Sequence, residues 1–297
     1  METLDTLVVG ETLVDVVRRA PGLTLPPSEH PGGSAANAAV ALSRLGRPVR
    51  LWTAYADDDR GAELDRHLAN AGVALAADPR VLDRTPTATA TIGPGGSATY
   101  VFDVAWRLGE RPTTEGARFV HVCSWGPVLE PGATAVRDLL AATSATVTYD
   151  VNVRPFVTGD GPELTAAVER TAALAQLVKA SDEDLEVLYP GLGLEAAARR
   201  LRSLGPAAVV VTRGAEGATW FGDRMVSVGA VPVTVADTIG AGDTFGAALL
   251  DALWDDDLAA ISEERIAAVL THAVRAAAVT VSRPGADPPY ASELVSA

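Results

Sequence analysis

Residues 237–243 read Asp-Thr-Ile-Gly-Ala-Gly-Asp and run directly into the apolar stretch 244–250. The pattern predicts a glycine turn opening a helix, with a carboxylate at the junction. The first amides of a helix lack intrahelical acceptors and carry the positive end of the helix dipole. They make a ready site for a phosphate or another oxyanion. Gly240 and Gly242 let the backbone approach such a group closely. Asp243 admits two readings. A carboxylate there stabilises the helix N-terminus, or it is a base held beside a bound phosphate.

Other residues with chemical potential are spread along the chain. Gly32 and Gly33 open a small-residue run, 34–45, with Asn37 about one helical turn inside it. Small residues suit packing on a sheet, but a buried amide must find partners. Asp15, taken alone, reads as a solvent-facing strand residue. The run Asp150-Val151-Asn152-Val153-Arg154-Pro155 falls at a strand's C-terminal end, where ligand crevices of α/β sheets lie. Arg154 could reach a phosphate or a substrate oxygen there, and the alternative is a turn held by Asn and Asp side chains. Ser181, followed by Asp182, Glu183 and Asp184, reads as an N-cap with an acidic first turn. Thr212, Gly214 and Gly217 follow an apolar run, as in a strand–turn–strand.

Together these stretches resemble the signatures of the ribokinase-like (PfkB) family of carbohydrate kinases, from Gly10 to Pro289. The resemblance implies an ATP- and Mg²⁺-dependent sugar kinase. Its fold would be α/β, a three-layer ribokinase-like domain over 1–297 with a mostly parallel central sheet. Lid segments of a small β-sheet would lie at about 11–30 and 85–108. It makes Asp243 the catalytic base and the amides of Gly240, Ala241 and Gly242 the anion hole. Asp15, Gly32, Gly33, Asn37 and Arg154 would bind the sugar. Thr212, Gly214, Gly217 and Ser181 would bind the nucleotide. Many members carry Asn-x-x-Glu where this chain has Ser181 and Asp184, so Asp184 would meet Mg²⁺ through water. Asp237, Ile239, Thr280, Arg283 and Gly285 would surround a monovalent cation such as K⁺.

Within the family, the 33–46 run, the 150–155 motif, the Ser-Asp-Glu run and the 283–289 tail are most similar to bacterial fructokinases. That resemblance implies D-fructose as substrate. The alternative of 2-keto-3-deoxygluconate needs a second cation, and residues 100–103 bring no arginine before Arg107. A non-catalytic sugar sensor on the same fold is the reading from another class. The implied partners are a sugar and ATP, with a second copy of the chain meeting it through the lid.

Bulk properties narrow the field in the same direction. A net charge of −14 disfavours nonspecific binding to nucleic acid or an anionic membrane. Anionic ATP would therefore need a local positive pocket. Cys123 is the sole cysteine, so no intrachain disulfide forms and a reducing, cytoplasmic compartment is expected. His30, His67, His121 and His272 are scattered, without metal-ligand spacing. The chain has one lysine, Lys179, among its 24 Lys and Arg residues. No glycine-rich turn precedes it, which excludes an ordinary P-loop.

The elements that must position these residues alternate. Strands are expected at 4–10, 49–56, 119–122, 146–149 and 208–212. Helices are expected at 34–45, 60–71, 131–143, 163–175, 182–188, 195–204, 241–254 and 263–282. Such alternation predicts a parallel sheet covered on both faces. Residues 12–18 and the pair 87–92 and 98–103 break the rhythm. The pair reads as a hairpin with its tip at 93–96. The proline-rich 22–30 stretch is expected to be a loop. Gly191-Leu192-Gly193 mimics a dinucleotide fingerprint but follows a helical stretch, so it reads as a turn between helices.

Overall fold

The computed structural model describes residues 4–19, 27–92 and 98–295. The chain begins with β1 (Asp5–Val9), β2 (Leu13–Arg19) and β3 (Ser28–Gly32), then helix α1 (Ser34–Arg44) and β4 (Val49–Trp52). Helix α2 (Asp59–Asn70), β5 (Ala74–Leu75), β6 (Thr87–Ile92) and β7 (Ala98–Asp103) follow. Next come β8 (Ala117–Cys123), α3 (Gly132–Ala142), β9 (Thr146–Asp150), α4 (Pro155–Thr158) and α5 (Pro162–Ala172). The path continues through β10 (Leu177–Ser181), α6 (Asp182–Leu188), α7 (Leu194–Arg202), β11 (Ala208–Thr212), β12 (Ala218–Phe221) and β13 (Met225–Val228). Helices α8 (Ala241–Ala252), α9 (Glu263–Val281) and α10 (Ala291–Val295) close it.

Nine strands form the large sheet, in the order β13-β12-β11-β10-β9-β8-β1-β4-β5. Its pairs are parallel except those of β11 with β12 and of β12 with β13. Period-two alternation splits the core into two layers. Leu7 and Val9 of β1 pack with α3, α5, α6 and α7, while Val8 packs with α1, α2, α8 and α9. One strip departs from the apolar rule. On the α8 side of the sheet, β8, β9 and β10 present His121, Thr148 and Lys179, all buried. In register, His121 lies beside Thr148 and Lys179 beside Asp150.

A second sheet has the order β3-β2-β6-β7. The 87–92 and 98–103 strands pair antiparallel as expected; the tip at 93–96 lies outside the described residues. The 22–30 loop is corrected in part. Residues 22–26 lie outside the described residues, but Ser28–Gly32 is a strand paired with β2. Pro31 is tolerated there because β3 is an edge strand. The segment 177–181, which the alternation left unassigned, is the interior strand β10. Gly191 and Gly193 sit in the turn between α6 and α7, with φ of 73° and 80°. No helix of the described residues is long and apolar enough to cross a membrane.

Candidate active site

The C-terminal ends of β1, β9, β10 and β11 deliver Glu11, Asp150, Ser181 and Thr212 to one edge of the large sheet. Here the chain order reverses between β8 and β4 around β1. Helices α1 and α8 start over the same edge.

Gly240 is the N-cap of α8, at φ 73°. A Cβ there would come within 2.6 Å of the Ala286 Cβ. Backbone conformation and crowding therefore both require glycine. Gly242 sits directly over Lys179, whose Nζ lies 3.1 Å from the position a Cβ would take. The Ala241 amide makes a long 3.3 Å bond to the Thr238 carbonyl.

Asp243 is buried, and both its oxygens are taken by side chains of α1. Ser34 Oγ donates to Oδ1 at 2.7 Å, and Asn37 Nδ2 donates to Oδ2 at 2.9 Å. The carboxylate thus turns toward α1 and ties the two helix starts together. Asn37 finds its partner in Asp243 itself. Asn152, at φ 38°, donates its Nδ2 to Ser34 Oγ at 2.9 Å. A relay Asn152–Ser34–Asp243 results, with the hydroxyl proton directed at the carboxylate.

Glu11 lies at the base of this relay. Its Oε1 accepts from the Ser34 amide at 3.2 Å, and its Oε2 has no partner among the described residues. Burial pushes its carboxyl up to about 8, although two backbone hydrogen bonds and Arg154 pull it down. Asp15 is half-buried on β2 and packs its carboxylate against Gly32. Burial raises it to about 6, with His30 and Arg154 opposing and Asp243 adding to the rise. Gly33, the N-cap of α1, lies against the Glu11 carbonyl. Arg154 is exposed, caps α4 and donates to the Val153 carbonyl at 2.9 Å. Its charge acts on both Glu11 and Asp15.

Ser181 and Asp184 form a capping box at the start of α6. Asp184 Oδ2 accepts from the Ser181 amide at 2.7 Å, and Oδ1 accepts from the Val153 amide at 2.7 Å. This contact fixes the 150–154 segment. Thr212 is the register partner of Ser181. Gly214 opens a short turn at Gly214–Glu216, and Gly217 packs against the Val228 carbonyl.

The residues expected to surround a cation lie in the segments next to the Gly240 turn. Asp237 accepts from the amides of Ile239 at 3.0 Å and Gly285 at 2.9 Å. Thr280 Oγ1 donates to Thr244 Oγ1 at 3.0 Å. The Thr280 carbonyl accepts from the Arg283 amide, and the Gly285 carbonyl from the Asp287 amide.

Five residues of the site carried no assigned role in the sequence reading: Ser34, Asn152, Glu11, Asp150 and Lys179. Lys179 Nζ donates to both oxygens of Asp150, at 3.0 and 2.9 Å, and both groups are buried. Burial alone would lower the lysine. Asp150, Asp184 and Asp243 outweigh it and hold the ammonium above its ordinary pKa. Its signal was the alternation Leu177, Lys179, Ser181 against Val178, Ala180.

Residues 4–293 match the model of the pfkB family carbohydrate kinases. The chain is 33% identical to a fructokinase of Rhizobium leguminosarum bv. trifolii over 281 residues, covering 91% of this chain and 85% of that one. The fold is similar to that of a fructokinase with bound ATP from Xylella fastidiosa, at a TM-score of 0.84 and 26% identity, over 100% of this chain and 98% of that one. It is also similar to an aminoimidazole riboside kinase of Salmonella enterica, complexed with its riboside and an ATP analog. That match has a TM-score of 0.80 and 26% identity, over 98% of both chains.

Proposed function

The chain belongs to the pfkB family of carbohydrate kinases, and we propose from that premise that it transfers the γ-phosphoryl group of ATP to a hydroxyl of D-fructose. The observation that carries the mechanism is the placement of Asp243. Two donors of α1 hold its carboxylate, which stands on the first turn of α8 beside the Gly240–Gly242 backbone. Asp243 accepts the sugar hydroxyl proton. The hydroxyl oxygen bonds to the γ-phosphorus, and the bond to the β–γ bridging oxygen breaks, releasing ADP. Amides of Gly240, Ala241 and Gly242 meet the charge on the transferring group. Such positioning and charge stabilisation supply most of the catalysis in phosphoryl transfer.

Asp15 and Asn37 orient the sugar, with Gly32 and Gly33 allowing close approach. Thr212, Gly214, Gly217 and Ser181 line the nucleotide side. Among the described residues, no group of three or more His, Cys, Asp or Glu side chains is arranged to hold a metal. Mg²⁺ would therefore be held mainly by phosphates and water, as it commonly is. Asp184 fits a water-mediated contact, because each of its oxygens keeps a lone pair beyond its amide bond. Bound in this way, the ion would neutralise phosphate charge.

The electrostatics support a neutral sugar over an acid. Arg154 faces the carboxyl groups of Asp15 and Glu11; Glu11, raised to about 8, keeps its proton near neutral pH, and Asp243 adds a second acidic group beside Asp15. Arg107, the next arginine after the β7 strand, donates to the Val81 carbonyl. A substrate carboxylate would meet an acidic pocket with one compensated cation. A coupled assay across fructose, ribose, aminoimidazole riboside and 2-keto-3-deoxygluconate tests the assignment. Fructose should lead in kcat/KM by about tenfold or more. A higher value for the acid or the riboside would overturn the substrate while leaving the kinase mechanism standing.

A further inference from the structure

The chain's single lysine is buried in an interior strand, where desolvating an ammonium is costly. It lies under the helix turn read above as the phosphate site. Lys179 and Asp150 are register partners on β10 and β9, 6% and 1% exposed. The ammonium bridges both carboxylate oxygens at 3.0 and 2.9 Å. Its other face meets Gly242, with Nζ 3.1 Å from where a Cβ would stand. Asp150 Oδ2 lies 3.7 Å from the corresponding position of Gly246, one turn further along α8. The ion pair therefore underlies the first turn and a half of the helix.

The surrounding groups are mostly acidic. Asp184 and Asp243 act on Lys179 from α6 and α8. His121 approaches from β8, and burial followed by Lys179 itself depresses it to about 3, so it is neutral. Burial holds the Asp150 carboxyl at about 6 even against the pull of Lys179. Without the lysine the ground beneath Gly242 loses its positive charge, and Asp150 takes up a proton or stands unpaired close to the proposed phosphate site. Unpaired, it would repel the phosphate and compete with it for the positive end of the helix dipole.

We propose that Lys179 is a positioning residue for phosphoryl transfer: it neutralises Asp150 beneath Gly242, leaving the amides at the start of α8 available to an incoming phosphate. This rests on the reading of the Gly240–Gly242 turn as the anion hole. The lysine acts through Asp150 and the helix, not by touching the sugar.

The test compares wild type with Lys179→Met, Asp150→Asn and the double variant, using kcat, sugar KM and melting temperature for each. Removing one partner of a buried ion pair strands the other charge, whereas removing both does not. Lys179→Met should lower kcat by about 100-fold, with sugar KM within about threefold of wild type. The double variant should regain about tenfold or more of that loss. A purely structural lysine would move KM and kcat together. Wild-type kcat in Lys179→Met, or a double variant no faster than Lys179→Met, would overturn the proposal. Should Lys179→Met fail to fold, the double variant decides. A kcat within about tenfold of wild type supports the role, and a folded but inactive protein sinks it. A wild type inactive on every sugar would refute the underlying reading and this proposal with it. An active wild type indifferent to Lys179 would refute this proposal alone.

Discussion

Ser34 Oγ donates a 2.7 Å hydrogen bond to Asp243 Oδ1 across 209 residues of sequence. The bond joins the first residue of α1 to the first turn of α8. With the Asn37 bond it draws the Asp243 carboxylate toward α1. Asn152 completes the relay by donating to the same hydroxyl.

Ser34→Ala removes this donor and leaves Asn37 as the one side-chain donor to the carboxylate. A hydrogen bond to a charged group contributes about 1.5–3 kcal/mol. The expected result is a kcat lower by about tenfold with sugar KM little changed, and a melting temperature lower by about 2–5 °C. Steady-state kinetics and calorimetry check this. An unchanged kcat would mean that Asn37 alone orients Asp243.

Gly240→Ala and Gly242→Ala should fail differently. At Gly240 the new Cβ meets Ala286 at 2.6 Å in a left-handed conformation. A loss of about 1–3 kcal/mol in stability is expected. At Gly242 the neighbour is the tip of Lys179, and alanine is the better helix former by about 1 kcal/mol. Stability should hold there, because the lysine tip has to give by only a few tenths of an ångström, while kcat falls, because the new methyl group crowds the proposed phosphate site. Denaturant midpoints beside kcat values separate the two outcomes.

The affinity for sugar should depend on pH through Asp15. Its folded carboxyl sits near 6, raised by burial against the opposing pull of His30 and Arg154. Protonation removes an acceptor from the sugar hydroxyls, so sugar KM should rise as pH falls through about 6. In Asp15→Asn the KM should be higher than wild type above pH 6 and flat across about pH 4.5–7.5, about one and a half units either side of that value. A variant that kept the wild-type pH dependence would assign the effect elsewhere.

Glu11 makes a stability prediction of opposite slope to ordinary acid denaturation. Its folded pKa is about 8 against an ordinary 4.5, so the folded state keeps a proton that the unfolded state releases. Stability from this group therefore falls as pH rises from 4.5 to 8 and levels off above. Glu11→Gln keeps the acceptor for the Ser34 amide and removes the titration. The melting temperature of the variant should gain on wild type steadily across that window. Parallel curves would contradict the buried carboxyl.

Much of this site is legible in residue types alone. The glycine turn before α8 and the glycine-opened α1 carry distinctive local patterns, and their helices form at the expected places. The alternating strand and helix runs likewise foreshadow the parallel sheet. What local pattern does not carry is partnership at long range. A carboxylate on a helix start reads equally as cap or base, and Ser34, on another helix, decides which way Asp243 turns. Asn37 signals a need for partners without naming Asp243. Strand β10 escapes notice because a lysine interrupts a short apolar run, and the compensating charge lies on β9. Strand β3 is hidden by its proline and polar residues, which an edge position tolerates. Glu11 sits in a plain strand-end sequence, and its burial comes with the start of α1, where Gly33 and Ser34 pack against it.

The most direct test of the account is the turnover of Asp243→Asn. The isosteric amide preserves the side chain's shape and removes its capacity as a base. With fructose and Mg-ATP, kcat should drop by about 10³-fold or more, while sugar binding measured by calorimetry stays within about threefold of wild type. A variant retaining kcat within about tenfold of wild type would contradict the assignment of Asp243 as the base.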